Sequence, residues 1–200
     1  MKIDKKFKEI SFFLETLEGI GEKKSKYLAL QFLGMDKNKL DFFLNLLSDI
    51  KDNVKLCKIC NSYSYIDDVC EICSNQYREK EVLIVEKVDD LLFIEKIGFY
   101  RGFYFVLHNL ISPIKGITPE NLGMEKLIKM LKEKNIVKII FALPKSTEGN
   151  ITTSFLKTYI KKRIENIEFY EFAEGLSDGF KISEFNESTL KEAFNNMKKI

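Results

Sequence analysis

All four cysteines of this 200-residue chain fall between positions 57 and 73, as Cys57-Lys-Ile-Cys60 and Cys70-Glu-Ile-Cys73 with nine residues between the pairs. No other feature restricts the fold as tightly. A Cys-x-x-Cys knuckle lets two thiolates reach one ion. Two knuckles at this separation close a tetrahedral Zn²⁺ site on a small ribbon. Four thiolates leave no open coordination position, so the expected metal is structural, about one zinc per chain. Lys55, Lys58, Arg78 and Lys80 flank the ribbon and could offset thiolate charge. Buried cysteines without metal are the competing reading.

Metal is favoured over disulfides because the chain reads as cytosolic, where thiols stay reduced. Its N-terminal residues alternate charge with apolar side chains and lack the apolar core of a signal peptide. No run approaches the about 18 consecutive apolar residues of a membrane helix. The net charge is +2, so contact with nucleic acid has to come from a local patch. A single histidine, His108, leaves little room for histidine-based catalysis and reads as a structural or surface residue.

The cysteine window divides the chain. Before it, Phe7, Ile10, Leu14 and Leu17, and then Leu40, Phe43, Leu44, Leu47, Ile50 and Val54, recur at helical spacing. Residues 1–55 are therefore expected to pack as a small helical bundle, with Gly34 as a C′ glycine and Tyr63 and Tyr65 in the turn of a ribbon over 56–77. After the window the period changes. Apolar runs at 82–85, 103–107, 136–142 and 167–172 have strand length. Helical segments are expected at about 88–97, from Thr118-Pro119 to about 135, and at 148–164. This alternation predicts an open, mainly parallel α/β sheet over 78–174. The segment 175–200 should end in a helix with Leu190, Phe194 and Met197 on one face. The fold class is thus α+β in several modules.

Gly19-Ile20-Gly21 joins two predicted helices in a tight turn, followed by Lys23, Lys24 and Lys26. Amides at a helix start favour an anion, whereas cations there are unfavourable by about 0.3–1 kcal/mol each. A bound phosphate would reverse that sign. The residues fit a helix-hairpin-helix motif that holds DNA by its backbone. A plain αα-hairpin with surface lysines fits them equally well.

In the α/β segment, Glu86 follows the first strand and Glu148-Gly149 the third, with Asp89 and Asp90 at the start of a helix. Ligand sites of open α/β sheets lie along that carboxyl edge. A magnesium site for phosphodiester chemistry needs clustered carboxylates. The expected acidic pair after the third strand is replaced by Phe141-Ala-Leu-Pro-Lys145, and no Walker A pattern occurs. A non-catalytic platform is the favoured reading.

Helical hairpin, four-cysteine zinc ribbon and acidic α/β domain, in this order, resemble the bacterial RecR family of recombination mediators over essentially the whole chain. The resemblance is carried by Leu17-x-Gly-Ile-Gly-x-Lys23, the cysteines with Ser74, and Val85-Glu86-x-x-x-Asp90. Gly102-x-Tyr-x-Val-Leu107, Ser112-Pro-Ile-x-Gly-Ile117 and Thr147-Glu-Gly149 extend it. It implies a Toprim α/β domain and homodimers that pair into tetrameric rings able to encircle double-stranded or gapped DNA. It implies work with RecO, and in many bacteria RecF, to place RecA on gaps coated by SSB protein, without enzymatic activity. By position, the four cysteines would bind zinc and Lys23 would touch DNA with Gly19, Gly21, Lys24 and Lys26 around it. Glu86, Asp90 and Glu148 would lie near the surface offered to RecO. The chain departs from the pattern at Tyr27, where a second basic residue is expected, at His108-Asn-Leu and at Leu143-Pro-Lys. Its C-terminal glycine-rich stretch is reduced to Gly175-Leu-Ser-Asp-Gly179. Two other functions remain open: a magnesium-dependent Toprim nuclease or primase-like enzyme, and an adaptor that does not bind DNA.

Overall fold

The computed structural model describes residues 2–172, 182 and 185–200. The chain forms two compact units, Met1–Asn53 and Val54–Ile200. The stretch Gly175–Gly179, expected to help subunit association, lies outside the described residues.

The first unit holds three helices, α1 (Lys2–Glu15), α2 (Glu22–Leu33) and α3 (Lys37–Asn53). Leu14 of α1 and Ala29 of α2 are buried, as are Ser11 and Ser25. The small size of the alanine and the serines lets α1 and α2 lie close. Gly34 closes α2 differently from the sequence expectation. Its φ is −88°, right-handed rather than left-handed, and its amide donates to the Leu30 carbonyl at 3.0 Å. Asp36 starts α3 by accepting the Lys39 amide at 2.9 Å. The three helices form the small bundle expected there, but no residue of α3 is buried, so α3 packs more openly than α1 and α2. Phe43 stacks on Phe32 with ring centroids 5.8 Å apart. Phe42, Leu44 and Ile50 remain more than half exposed.

The second unit begins with a two-stranded antiparallel ribbon, β1 (Val54–Leu56) against β2 (Tyr63–Tyr65). Tyr63 and Tyr65 thus sit on a strand, and the turn before them is the first cysteine knuckle. A single turn, α4 (Glu71–Ser74), carries the second knuckle. The sheet then contains β3 (Glu81–Val85), β4 (Phe103–Val106), β5 (Lys138–Ala142), β6 (Glu168–Glu171) and β7 (Lys198–Lys199), in the order β4-β3-β5-β6-β7. The first four strands run parallel, in agreement with their near-continuous apolar runs, and β7 pairs antiparallel to β6. Two lysines and one backbone ladder make β7, which left no apolar signal in the sequence.

Helices cover both faces: α5 (Val88–Ile97), α6 (Met124–Glu133), α7 (Thr147–Lys161) and α8 (Glu187–Asn195). Alternate strand residues divide between two cores, as the two-residue period of a strand requires. Val82, Ile84, Phe105, Ile139 and Phe141 pack with Leu127 and Leu131 of α6, Leu156 and Ile160 of α7, and the four cysteines. Leu83, Val85, Tyr104, Val106 and Ile140 pack with Leu91 and Ile94 of α5 and Leu190 and Ala193 of α8. The helix expected from Thr118 to 135 is broken in two. A 3₁₀ turn, Pro119–Leu122, precedes α6, and Gly123 between them has φ +64°. Met197 falls beyond α8 but still packs on the second core.

Candidate functional site

The first knuckle is built by local backbone bonds. The Cys57 amide donates to the Ser62 carbonyl at 2.7 Å, and Asn61 takes a left-handed φ of 62° to close the turn. That geometry aims amides at sulfur. Ile59 N and Cys70 N each lie 3.4 Å from the Cys57 Sγ, and Ser62 N lies 3.4 Å from the Cys60 Sγ. In the second knuckle Cys70 caps the single turn α4, which places Cys73 one turn on. All four ligand atoms lie within 4.8 Å of one another, and Cys60 and Cys70 approach to 3.6 Å. For a tetrahedral ion with bonds of about 2.3 Å to sulfur, the edge between two sulfurs is about 3.8 Å. The set fits such an ion. No cysteine is more than 7% exposed and all are free thiols.

Packed together, the thiols cannot ionise independently. A thiolate on Cys57 is held well below the usual range by hydrogen bonds from Cys60, Cys70 and Cys73. Cys60 is pushed up in turn by its bond to Cys57, and Cys73 by its bonds to the other three. A divalent cation removes that opposition. The four cysteines are also the only set of three or more His, Cys, Asp or Glu side chains among the described residues that could hold an ion.

Three of the four cations flanking the cysteines in sequence are engaged elsewhere. Lys55 pairs with Asp68 at 2.6 Å, Lys58 pairs with the same carboxylate, and together they hold it down at about 2. Arg78 pairs with Glu95 and donates to the Gly102 carbonyl at 2.8 Å. The lysines that reach the knuckles come from the region of α6. Lys126 Nζ donates to the Cys57 carbonyl at 2.7 Å and to Asn61 Oδ1 at 2.6 Å. Lys134 Nζ donates to the Cys73 carbonyl at 2.8 Å. Sequence reading missed both. Their only signal is that they lie eight residues apart, about two helical turns, on the side bearing Leu127, Met130 and Leu131.

The ribbon is also stitched to the sheet. β4 is an edge strand, and both outward backbone groups of Val106 are satisfied by the first knuckle. Val106 N donates to the Cys60 carbonyl at 2.9 Å, and Asn61 Nδ2 donates to the Val106 carbonyl at 3.2 Å. His108 is half-buried, with Nε2 2.8 Å from the Asn61 carbonyl, which gives the one histidine a structural place.

In the first unit, Gly19 has φ +80° and Gly21 precedes α2 in an extended conformation, φ −86° and ψ 172°. The buried Ser25 hydroxyl lies 2.8 Å from a Glu15 carboxylate oxygen and from the Glu22 carbonyl, which ties α2 to α1. Lys23 and Lys24 are exposed and form no ion pair among the described residues. Lys26 is exposed too but pairs with Glu22 at 2.5 Å. Tyr27 is 61% exposed.

Glu86 and Glu148 stand at the carboxyl ends of neighbouring parallel strands, β3 and β5. The chain leaves β3 toward the face of α5 and leaves β5 toward the face of α7. This is the topological switch point of the sheet. Both glutamates are half-buried. Asp90 is only 6% exposed, and its carboxylate accepts the Lys87 amide at 3.3 Å at the start of α5. Gly149 fits α7 against the preceding loop, because a Cβ there would lie 1.9 Å from the Pro144 carbonyl oxygen.

Residues 80–170 match the Toprim domain. A recombination protein RecR of Maridesulfovibrio salexigens is 32% identical over 94% of this chain and 93% of its own length. RecR proteins of Lactobacillus acidophilus and Francisella philomiragia are each 36% identical, over 88% and 91% of the chain. With relatives this similar along nearly its whole length and a Toprim sheet behind a four-cysteine ribbon, the chain belongs to the RecR family.

Proposed function

We propose that this protein is a zinc-holding, non-enzymatic DNA clamp of recombinational repair that helps RecO, and RecF where present, load RecA on gapped DNA. The hairpin holds the phosphate backbone through Lys23 and Lys24, with Lys26 contributing less because Glu22 already engages it. Amides around Gly19 and Gly21 complete the seat. Zinc, bound by Cys57, Cys60, Cys70 and Cys73, keeps the ribbon folded. The Toprim edge with Glu86 and Glu148 docks the protein partner, and buried Asp90 supports that edge from below. A second copy covers the exposed apolar side chains of α3 in a dimer or a larger ring. The division into hairpin (1–55), ribbon (56–77), Toprim domain (78–174) and association segment (175–200) is part of this proposal. No helix among the described residues is long and apolar enough to cross a membrane, which agrees with action on DNA in the cytoplasm.

The observation that carries the reading is the open position at Gly21. Its backbone conformation suits any residue, and a Cβ there would meet no atom within 4 Å. Neither the dihedral angles nor packing within the chain requires glycine, and the N-cap preference for it over alanine is modest, whereas the close approach of a phosphate to the amides does require it. A magnesium enzyme would need its carboxylates to converge, and Glu86, Asp90 and Glu148 form no such set among the described residues.

Replacing Lys23 and Lys24 together by Glu is the direct test. Retention on gapped DNA should be lost while the circular dichroism spectrum is kept. In the wild type, affinity should fall steeply with salt, independently of sequence. Retention by the double variant at wild-type strength would refute the hairpin's role.

A further inference from the structure

A Zn²⁺ ion bound by four thiolates carries a net charge of −2. It is enclosed here by residues no more than 7% exposed. Burying such a charge is costly unless cations or hydrogen-bond donors face it. Lys55 and Lys58 are held by Asp68, and Arg78 by Glu95. Two half-buried ammonium groups do reach the knuckles, and each bonds the backbone carbonyl of a cysteine. Lys126 holds Cys57, the first of the four, and Lys134 holds Cys73, the last. Lys126 also fixes the Asn61 side chain, whose amide in turn bonds the β4 edge at Val106.

We infer that Lys126 and Lys134 are metal-retention residues: two cations from α6 and its C-terminal end that clamp the outer cysteines of the two knuckles and balance the charge of the tetrathiolate site. They touch neither the metal nor DNA. They act by fixing the carbonyls of ligand residues and by placing two positive charges against two excess negative ones. Metal affinity of the ribbon then depends on the α/β domain behind it. The ribbon is not a self-sufficient metal finger. A zinc ribbon excised without α6 lacks both lysines.

This inference rests on the reading that the four cysteines hold zinc, and the test keeps the two apart. Full-length wild type and the variants Lys126→Met, Lys134→Met and the double are purified under reducing conditions and their zinc is counted. Zinc affinity is then measured by competition with a chromophoric chelator. Lys129→Met is the control, since Lys129 lies on the same helix with its side chain 73% exposed. Each single variant should bind zinc about tenfold more weakly and the double about a hundredfold, the range seen when partners beyond the ligands are removed. The control should match the wild type. The sulfur-to-cobalt charge-transfer band of Co²⁺-loaded protein should keep its position, because the four ligands are unchanged. Lys126→Arg should recover most of the affinity and Lys126→Gln little, since only the first keeps the charge.

Competition curves of the double variant that overlay those of a zinc-loaded wild type would overturn the inference and leave the zinc reading intact. A wild type without zinc would overturn the zinc reading and this inference with it. A variant that loses its helical signal even in saturating zinc would also refute the inference, since the lysine would then serve the fold and not the metal.

Discussion

The two glycines of the hairpin make opposite predictions, and comparing them tests the proposed DNA seat. Gly19 has φ +80°, a region where a residue with a side chain costs about 1–2 kcal/mol. No atom lies within 4 Å of a Cβ built there, so sterics add nothing. Gly19→Ala should therefore lower stability by about 1–2 kcal/mol, entirely through the backbone. Gly21 is different. An alanine adopts φ −86° and ψ 172° without strain and meets nothing. Restricting the unfolded chain stabilises by about 0.4–1 kcal/mol. Replacing glycine by alanine at an N-cap costs a similar amount. The two effects leave Gly21→Ala within about 0.5 kcal/mol of wild type. Urea melts of the full chain, followed by circular dichroism, measure both. Fluorescence anisotropy on a labelled gapped duplex at low salt measures binding. Gly21→Ala should keep its stability and lose at least about tenfold in affinity, because its methyl group occupies the approach to the amides. If Gly21→Ala binds like the wild type, those amides do not seat a phosphate. If it unfolds as readily as Gly19→Ala, the Gly21 backbone does not accept a side chain freely.

Three further outcomes follow from the second unit. Gly149→Ala places a methyl group 1.9 Å from the Pro144 carbonyl oxygen, so the loop or the first turn of α7 must move. A loss of about 1–3 kcal/mol is expected, visible as a lowered thermal midpoint, and an unchanged midpoint would contradict the close approach. Arg78→Met leaves the Glu95 carboxylate and the Gly102 carbonyl without their guanidinium partner. Chemical denaturation should register about 1–3 kcal/mol of destabilisation, reduced from a fully buried pair by the partial exposure of Glu95. Chelation under reducing conditions should turn four slow thiols into four fast ones toward a thiol reagent. The metal-loaded protein should hide them, and equal reactivity before and after chelation would count against a metal-held ribbon.

The central sheet was legible because its strands are buried on both faces. Val82–Val85 and Phe103–Val106 are wholly apolar or aromatic, and a parallel sheet between two helical layers is what such runs require. The α1–α2 hairpin was legible for a different reason, since Gly19 and Gly21 so close together mark a tight turn between helices. Elements whose stability comes from partners left weaker marks. β7 is a pair of lysines that joins the sheet through Tyr170 and Glu171. The apolar residues of α3 gave a helical period, but periodicity does not say whether the covering surface lies in the same chain. Phe42, Leu44 and Ile50 stay more than half exposed among the described residues, which the period alone did not foretell.

The metal centre divides along the same line. Its ligands could be read from the sequence because both atoms of a knuckle come from one short turn, so spacing and chemistry are locked together. Its charge balance could not. Sequence proximity pointed to Lys55, Lys58, Arg78 and Lys80, yet proximity along the chain says nothing about competing acids. Asp68 and Glu95 take the first three of these cations. Lys126 reaches Cys57 across 69 positions and Lys134 reaches Cys73 across 61. Each is an ordinary lysine in a lysine-rich chain until the helix packs on the ribbon. What distinguishes them is the cost of leaving an ammonium group half-buried without an acceptor, and the cysteine carbonyls remove that cost. The dependence is mutual: the metal site needs the helix for its charge, and the helix needs the folded knuckles for its lysines. Loss of metal should therefore loosen α6 and the β4 edge together with the ribbon.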